Sequence, residues 1–544
     1  MNKRLIPDLV LAGGRVRTME PESPGAHPDA DAVAVAGRRI LAVGTSDEIM
    51  SLAGPDTEIM DLDGRLCLPG FFDSHFHVYD WTLGRASLLL AAAETFGRCM
   101  DMIAREAQGK GPDAWVVGRG FNESDWPENR MPDRADLDRA AGGRPTLVWR
   151  CDLHLAVAST RALELAGLDA STPDPTDGVI ERDDQGRPNG VLREGAVNAV
   201  RQAIPVPGLE ELADALEDSQ AELHRLGVTA VHDVRLAGTV TESALTLRAW
   251  QRLREDGRLS LRCWSSLPGE CRVQAQSLGL RTDLGDDYLR IGHLKYFMDG
   301  GMGARTAWLL EPYLDTGDAG LCLIPPDEML REAIEAHKAG LAVMVHAIGD
   351  RAGREVINVL EALSRLPGPA PALAHRMEHG QMMRPEDMAR LARLGAPVSA
   401  QPANMVLDIN MIDQCAGDMG RHAYAFRSML DAGVNLMFSS DCPVCDPNPL
   451  VSIHGAVTRQ RADGTPGQGW HPAQRVSVKE AITAFTGTPA SCYAAAHRLG
   501  SISAGKLADL VVLDKDIFTI PPADILSARV DVTVFDGRVV HCRT

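Results

Sequence analysis

The 544-residue chain reads as an α/β protein: a (β/α)8 barrel with a small β-sandwich domain formed from both termini and a subdomain inserted after barrel strand 1. Three observations predict this. Strand-like apolar runs alternate with amphipathic stretches through the middle of the chain, both ends are rich in short strands, and one interval is far too long for a single crossover.

The N-terminal runs 8–12, 31–36 and 39–44 are separated by Gly-containing turns and predict a small antiparallel sheet. The C-terminal runs 508–513 and 531–540 repeat the style. Exposed strand edges need partners, so the two ends are expected to pair. Between them lie eight candidate strands, 66–76, 227–233, 259–266, 289–297, 341–347, 372–379, 396–401 and 434–440, with helical stretches such as 327–339 between them. Eight such units predict a barrel of the TIM type, in which reactive side chains gather at the C-terminal ends of the strands. The interval 82–224 carries its own strand-like runs, 114–118 and 145–150, and is read as a subdomain overhanging the barrel mouth. The expected division is therefore 1–68 with 500–544 for the sandwich, 69–81 with 225–499 for the barrel, and 82–224 for the insertion.

Composition narrows the function. Hydrophobic residues at 45% and charged residues at 24% are ordinary for a globular protein. Acidic side chains outnumber basic ones 74 to 55, a net charge of −19, which argues against nucleic acid or anionic lipid as the partner. Nothing approaches the roughly 18 apolar residues of a membrane span, and the N-terminus lacks a secretory core, so a cytoplasmic protein is expected. The eleven cysteines indicate neither a disulfide framework nor a zinc knuckle and are read as mostly reduced, buried thiols.

The first barrel run ends in His75 and His77. Residues two apart in a strand point to one side with Cα atoms roughly 6.6 Å apart, so two imidazoles can converge on one cation. Later strand ends supply Lys295, His346, His379 and Asp441. Singly, each has an ordinary alternative: a structural histidine, half of an ion pair, a helix cap. Six metal-compatible side chains at the tips of strands 1, 4, 5, 6 and 8 together predict a metal centre. His232, at the end of strand 2, could also face the pocket, whereas His293, His337 and His375 read as structural.

The words around these residues are Leu68-Pro69-Gly70-Phe71-Phe72-Asp73-Ser74-His75-Phe76-His77, Lys295-Tyr296-Phe297-Met298-Asp299-Gly300, His346-Ala347-Ile348-Gly349-Asp350, Arg376-Met377-Glu378-His379-Gly380 and Ser440-Asp441-Cys442-Pro443. The chain resembles, over nearly its whole length, the amidohydrolase superfamily and its amidohydrolase family 3 branch of YtcJ-like proteins and N-substituted formamide deformylases. The resemblance implies one or two divalent cations, zinc first and manganese or iron as alternatives. His75 and His77 would hold the more buried one with Asp441, and His346 and His379 the second. Lys295 would be a bridging ligand after taking up carbon dioxide as a carbamate, since an ammonium has no acceptor; an uncarboxylated lysine beside a single metal is the other reading. The implied reaction is hydrolysis of a C–N amide bond, in an N-substituted formamide or N-acyl amine, by a metal-activated hydroxide, with Asp441 as general base and then general acid. His154, in the word Arg150-Cys151-Asp152-Leu153-His154, and Trp126 are expected at the substrate. Asp299 and Arg305 are expected either to line the mouth or to pair with each other. Cys442 stands where the branch usually has Trp. A small-molecule substrate and a homodimer complete the expectation. Two alternatives stay open: the same centre acting on an ester, lactone or phosphotriester or as a deaminase, with Asp350 as an acidic helper, and a non-catalytic homologue.

Overall fold

The computed structural model describes residues 6–20, 29–85, 87–234 and 240–543. At its centre eight parallel strands form one sheet in sequence order: Phe71–Phe76 (β1), Val228–Asp233 (β2), Arg262–Pro268 (β3), Leu289–Phe297 (β4), Val343–Ala347 (β5), Arg376–His379 (β6), Pro397–Ala400 (β7) and Asn435–Phe438 (β8). The sheet curls until β8 meets β1, where Ser74 Oγ donates to Phe438 O at 3.1 Å and Asp441 N–H donates to His75 O at 2.9 Å. All residues of β1, β2, β5, β6 and β7 are buried, as strands covered on both faces must be. The helices outside follow ordinary end rules. Pro326–Lys338 starts on a proline, carries Asp327 and Glu328 in its first turn and His337 and Lys338 in its last, and buries Met329, Ala333 and Ala336 against the barrel.

One candidate strand needs correction. Residues 66–76 are not a single strand: Leu66–Pro69 belongs to a different sheet, and the chain crosses into the barrel at Gly70. A Cβ at Gly70 would lie 2.3 Å from Thr229 Oγ1, so only glycine permits the close approach to β2 at this crossing.

Leu66–Pro69 pairs antiparallel with Leu510–Leu513, which continues through Val530–Phe535 to Arg538–Cys542, so the two ends of the chain share one sheet. A four-stranded sheet, in the order Arg39–Gly44, Ala32–Ala36, Leu9–Ala12, Glu58–Asp61, shares its core: Leu9, Leu11, Val33 and Val35 pack with Leu510, Val512, Val532 and Val534. Arg262 of β3 ties this unit to the barrel through Asp509 at 2.8 Å and Asp536 at 2.9 Å.

After β1 and the short helix Val78–Gly84, the chain builds a separate six-stranded sheet in the order Gly178–Arg182, Pro188–Glu194, Leu155–Ala158, Thr146–Arg150, Val116–Phe121, Leu88–Leu89. It has cores of its own on either face. Helix Leu209–Arg225 then leads into β2. Among the described residues no helix is long and apolar enough to cross a membrane.

Candidate metal centre

The C-terminal ends of the strands bring five of the six expected ligands into one contiguous group. His75 Nε2 and His77 Nε2 lie 3.4 Å and 2.9 Å from Asp441 Oδ1, and the donor atoms of these three buried residues all fall within 4.8 Å of one another. The His379 ring is centred 5.0 Å from that of His75, and His346 4.5 Å from His379. Asp441 and His379 adopt left-handed backbone with φ of +59° and +68°, uncommon for residues other than glycine and concentrated at functional sites. In both, this bends the chain at the strand end.

Each imidazole has one nitrogen engaged, and the Nε2 atoms of His75 and His77 turn toward Asp441. Nδ1 of His75 is bonded to Glu378 Oε2, Nδ1 of His77 to Val234 O at 2.7 Å, and Nδ1 of His379 to Gln401 Oε1 at 2.9 Å. His346 is engaged through Nε2 to Gly300 O at 3.2 Å. This is the support that metal-binding histidines require, because it fixes the ring and its tautomer. The inward atoms are starved: among the described residues His75 Nε2, Asp441 Oδ1 and Lys295 Nζ are buried without a hydrogen-bond partner. His77 Nε2 is near Asp441 Oδ1 in distance but not aligned as a hydrogen bond. Buried polar atoms without partners are costly, and those of His75 and Asp441, within 4.8 Å of the His77 donor, fit a divalent cation.

The electrostatics agree. Burial, joined by Lys295 and the neighbouring imidazoles, holds His75 well below its ordinary pKa, and burial lowers His379 to about 4, the direction that ligand histidines need. Burial pushes the Asp441 carboxyl up, but His75, His77 and His379 overcome it and hold the group well below the usual carboxylate range. Burial lowers Lys295 to about 8 against the pull of Glu378 and Asp441, and its Nζ lies 4.6 Å over the Phe297 ring. A neutral amine is thus accessible near neutral pH.

The expected substrate residues divide. His154 stands at the mouth, its ring 5.3 Å from His346 and its Nδ1 2.8 Å from Glu194 Oε2. Burial opposes charge on this ring, yet Glu194 raises it to about 9. Asp299 is fully buried, accepting from the N–H groups of Trp308, Ile348 and Gly349 at 2.8 to 3.0 Å. Arg305 pairs with Asp315 at 2.7 Å, so Asp299 and Arg305 do not pair with each other. Trp126 is a core residue of the insertion: its indole donates to Ala93 O at 2.7 Å, and it packs on Phe121 and Phe96. Cys442 and Cys445, spaced Cys-x-x-Cys, are buried free thiols pushed well above the ordinary range by burial.

Some supporting residues escape a reading by strand tips. Glu378 receives Arg376 Nε at 2.6 Å, and Arg376 also donates to Ser74 O at 2.9 Å and to the Tyr493 hydroxyl, which contacts His232. Arg376 and Glu378 are two apart in a fully buried strand, a signal that two charges must serve the barrel interior. Tyr493 carries no such signal. His293 bonds Ala374 O at 3.0 Å, and His337 bonds His375 at 2.9 Å.

A (β/α)8 barrel with two histidines after the first strand and an aspartate after the last defines a metal-dependent hydrolase. The model of the Amidohydrolase family matches residues 58–541, and this chain belongs to that family. It is 29% identical to the putative amidohydrolase YtcJ of Bacillus subtilis, covering 97% of this chain and 98% of that protein. It is also 29% identical to the N-substituted formamide deformylase of Arthrobacter pascens, covering 99% of each. The crystal structure of an uncharacterized metal-dependent hydrolase from Pyrococcus furiosus superposes with a TM-score of 0.72 at 28% identity, over 94% of this chain and all of that one.

Proposed function

We propose that this chain is a metal-dependent amidohydrolase that cleaves the C–N bond of a small-molecule amide, in the class of N-substituted formamides and N-acyl amines. The observation that carries the reading is the set of buried, partnerless donor atoms of His75, Asp441 and Lys295 at the strand ends. The full-length likeness to an N-substituted formamide deformylase directs it to amides. His75, His77 and Asp441 would hold one cation and His346 and His379 a second, with Lys295, as its carbamate, supplying oxygen donors to both. Zinc, manganese and iron all suit such a mixed set. When bound, the cations supply Lewis acidity and acidify water.

The protein's own groups account for the rest. Asp441, held ionised by the neighbouring imidazoles, accepts the proton of the attacking water and returns it to the leaving nitrogen. His154, kept protonated by Glu194, presents a donor toward the carbonyl oxygen as charge develops there. Glu378, fixed by Arg376, holds His75 in one tautomer. The deaminase alternative loses its helper: Asp350 accepts from Leu310 N–H at 2.8 Å and pairs with Arg384 at 2.8 Å. The non-catalytic alternative is disfavoured because none of the six ligand positions is broken.

The test is to strip the protein with chelator, reload it with zinc, manganese or iron in bicarbonate buffer, and offer N-substituted formamides, N-acyl amines, esters and lactones. Amine release that requires metal and rises with bicarbonate is expected. Turnover confined to esters or lactones would overturn the amide assignment.

A further inference from the structure

A cavity of about 420 Å³ lies between the inserted sheet and the helix that follows β1. None of the six ligand residues lines it. Its wall nevertheless includes Tyr79, Leu153 and Pro443, each within two residues of His77, His154 or Asp441, so it borders the segments that carry the site. Most of the lining is apolar, from Tyr79, Leu83, Trp149 and the 204–207 segment.

Four charged side chains also reach it: Asp80, Arg119, Arg201 and Glu211. Arg201 is paired with Asp80 at 2.6 Å, and Glu211 accepts from Gly208 N–H at the start of its own helix. Arg119 differs. Its Nε and Nη1 are buried and have no hydrogen-bond partner among the described residues. Burial disfavours its charge, and Asp80, the nearby carboxylate that favours it, is shared with Arg201. The strand positions it: Val117 and Arg119, two apart in Val116–Phe121, share the cavity face and Val116 faces the insertion's core, which Phe121 also enters after the register shift at Gly120. Gly84 makes room, since a Cβ there would lie 2.8 Å from Arg119 Nη1 and 2.9 Å from Cζ. A guanidinium presents a planar fork of donors matched to a carboxylate, and leaving it unpaired in a mostly apolar cavity is costly.

We infer that Arg119 is a specificity-determining residue that binds a carboxylate carried on an apolar arm of the substrate, so that anionic amides are preferred over neutral ones. This rests on the proposed amide hydrolysis, because the arm is the part of the substrate that extends from the metal centre. Asp80 stays with Arg201, and the substrate carboxylate completes Arg119.

The metal-loaded enzyme should be compared on a matched pair, 4-(formamidomethyl)benzoate and N-(4-methylbenzyl)formamide. The wild type is expected to favour the carboxylate by about tenfold or more in kcat/KM, a ratio that Arg119→Gln abolishes and Arg119→Lys retains in part. In parallel, 4-methylbenzoate, which has the anion and the ring but no scissile bond, is titrated calorimetrically into wild type and variants. Saturable binding lost in Arg119→Gln supports the assignment. A wild-type ratio near one, absent binding to wild type, or binding that survives in Arg119→Gln overturns it, the last meaning that the carboxylate is held elsewhere, at the metals included. If neither formamide is turned over, the formamide part of that reading fails while the titration still decides on Arg119. If Arg119→Gln does not fold, the wild-type titration and Arg119→Lys decide.

Discussion

Asp441 faces two demands at once. It lies against His75 and His77 through Oδ1, and it must also carry a proton between water and the leaving group. An asparagine keeps the shape and one oxygen donor but cannot accept a proton. Asp441→Asn is therefore expected to lower kcat by about 10³-fold or more while metal content, measured by elemental analysis, stays close to wild type. Turnover within tenfold of wild type would remove Asp441 from proton transfer. That His75, His77, His346, His379 and Asp441 form one group was legible in the chain, because strand ends in a barrel converge whatever lies between them. What holds them was not. Tyr493 reaches Arg376 from 117 positions away, and a contact of that kind depends on packing that no local pattern encodes. Trp126 shows the converse: expected at the substrate, it is drawn into the insertion's core because its apolar area is worth more buried there.

Among the elements, the alternation of strands and helices was legible because most barrel strands lie in apolar runs bounded by turns and helical stretches, and the insertion because its interval exceeded any crossover. The break at Gly70 was hidden for a physical reason. Leu66–Pro69 and Phe71–Phe76 are both fully buried, and periodicity cannot tell which sheet a buried run joins. The junction also makes a prediction. Any side chain at 70 meets Thr229 Oγ1 and Cγ2 at 2.3 and 2.6 Å, so Gly70→Ala must displace β1 from β2 or force Thr229 off its rotamer. A loss of about 2 kcal/mol in urea unfolding is expected, partly recovered in Gly70→Ala/Thr229→Ala, where the colliding atoms are gone. Equal stability of Gly70→Ala and wild type would show that the approach is no constraint.

Over the whole molecule, burial of neutral histidines outside the metal group sets the response to acid. Burial lowers His224 to about 4 and His293 to about 3, and both are under 4% exposed. His224 sits where helix Leu209–Arg225 meets the terminal sheet, its carbonyl accepting from Thr533 Oγ1 at 2.6 Å, while His293 lies inside the barrel on β4. Their ordinary value is 6.5, so between that and the lowered values the unfolded chain binds protons that the fold refuses. Stability therefore falls as pH drops through 6.5, and the loss is complete below the folded values. From pH 7 to 5.5 each contributes a loss of about 1 kcal/mol. His224→Gln removes one titrating group from both states. The change in packing acts alike at both pH values, so the difference between pH 7 and 5.5 in urea unfolding should shrink by about 1 kcal/mol relative to wild type. The ligand histidines titrate identically in the two proteins and cancel from that comparison. An unchanged pH difference would mean that His224 is protonated as readily in the fold as in the unfolded chain, and that burial at the barrel–sheet junction does not set its charge.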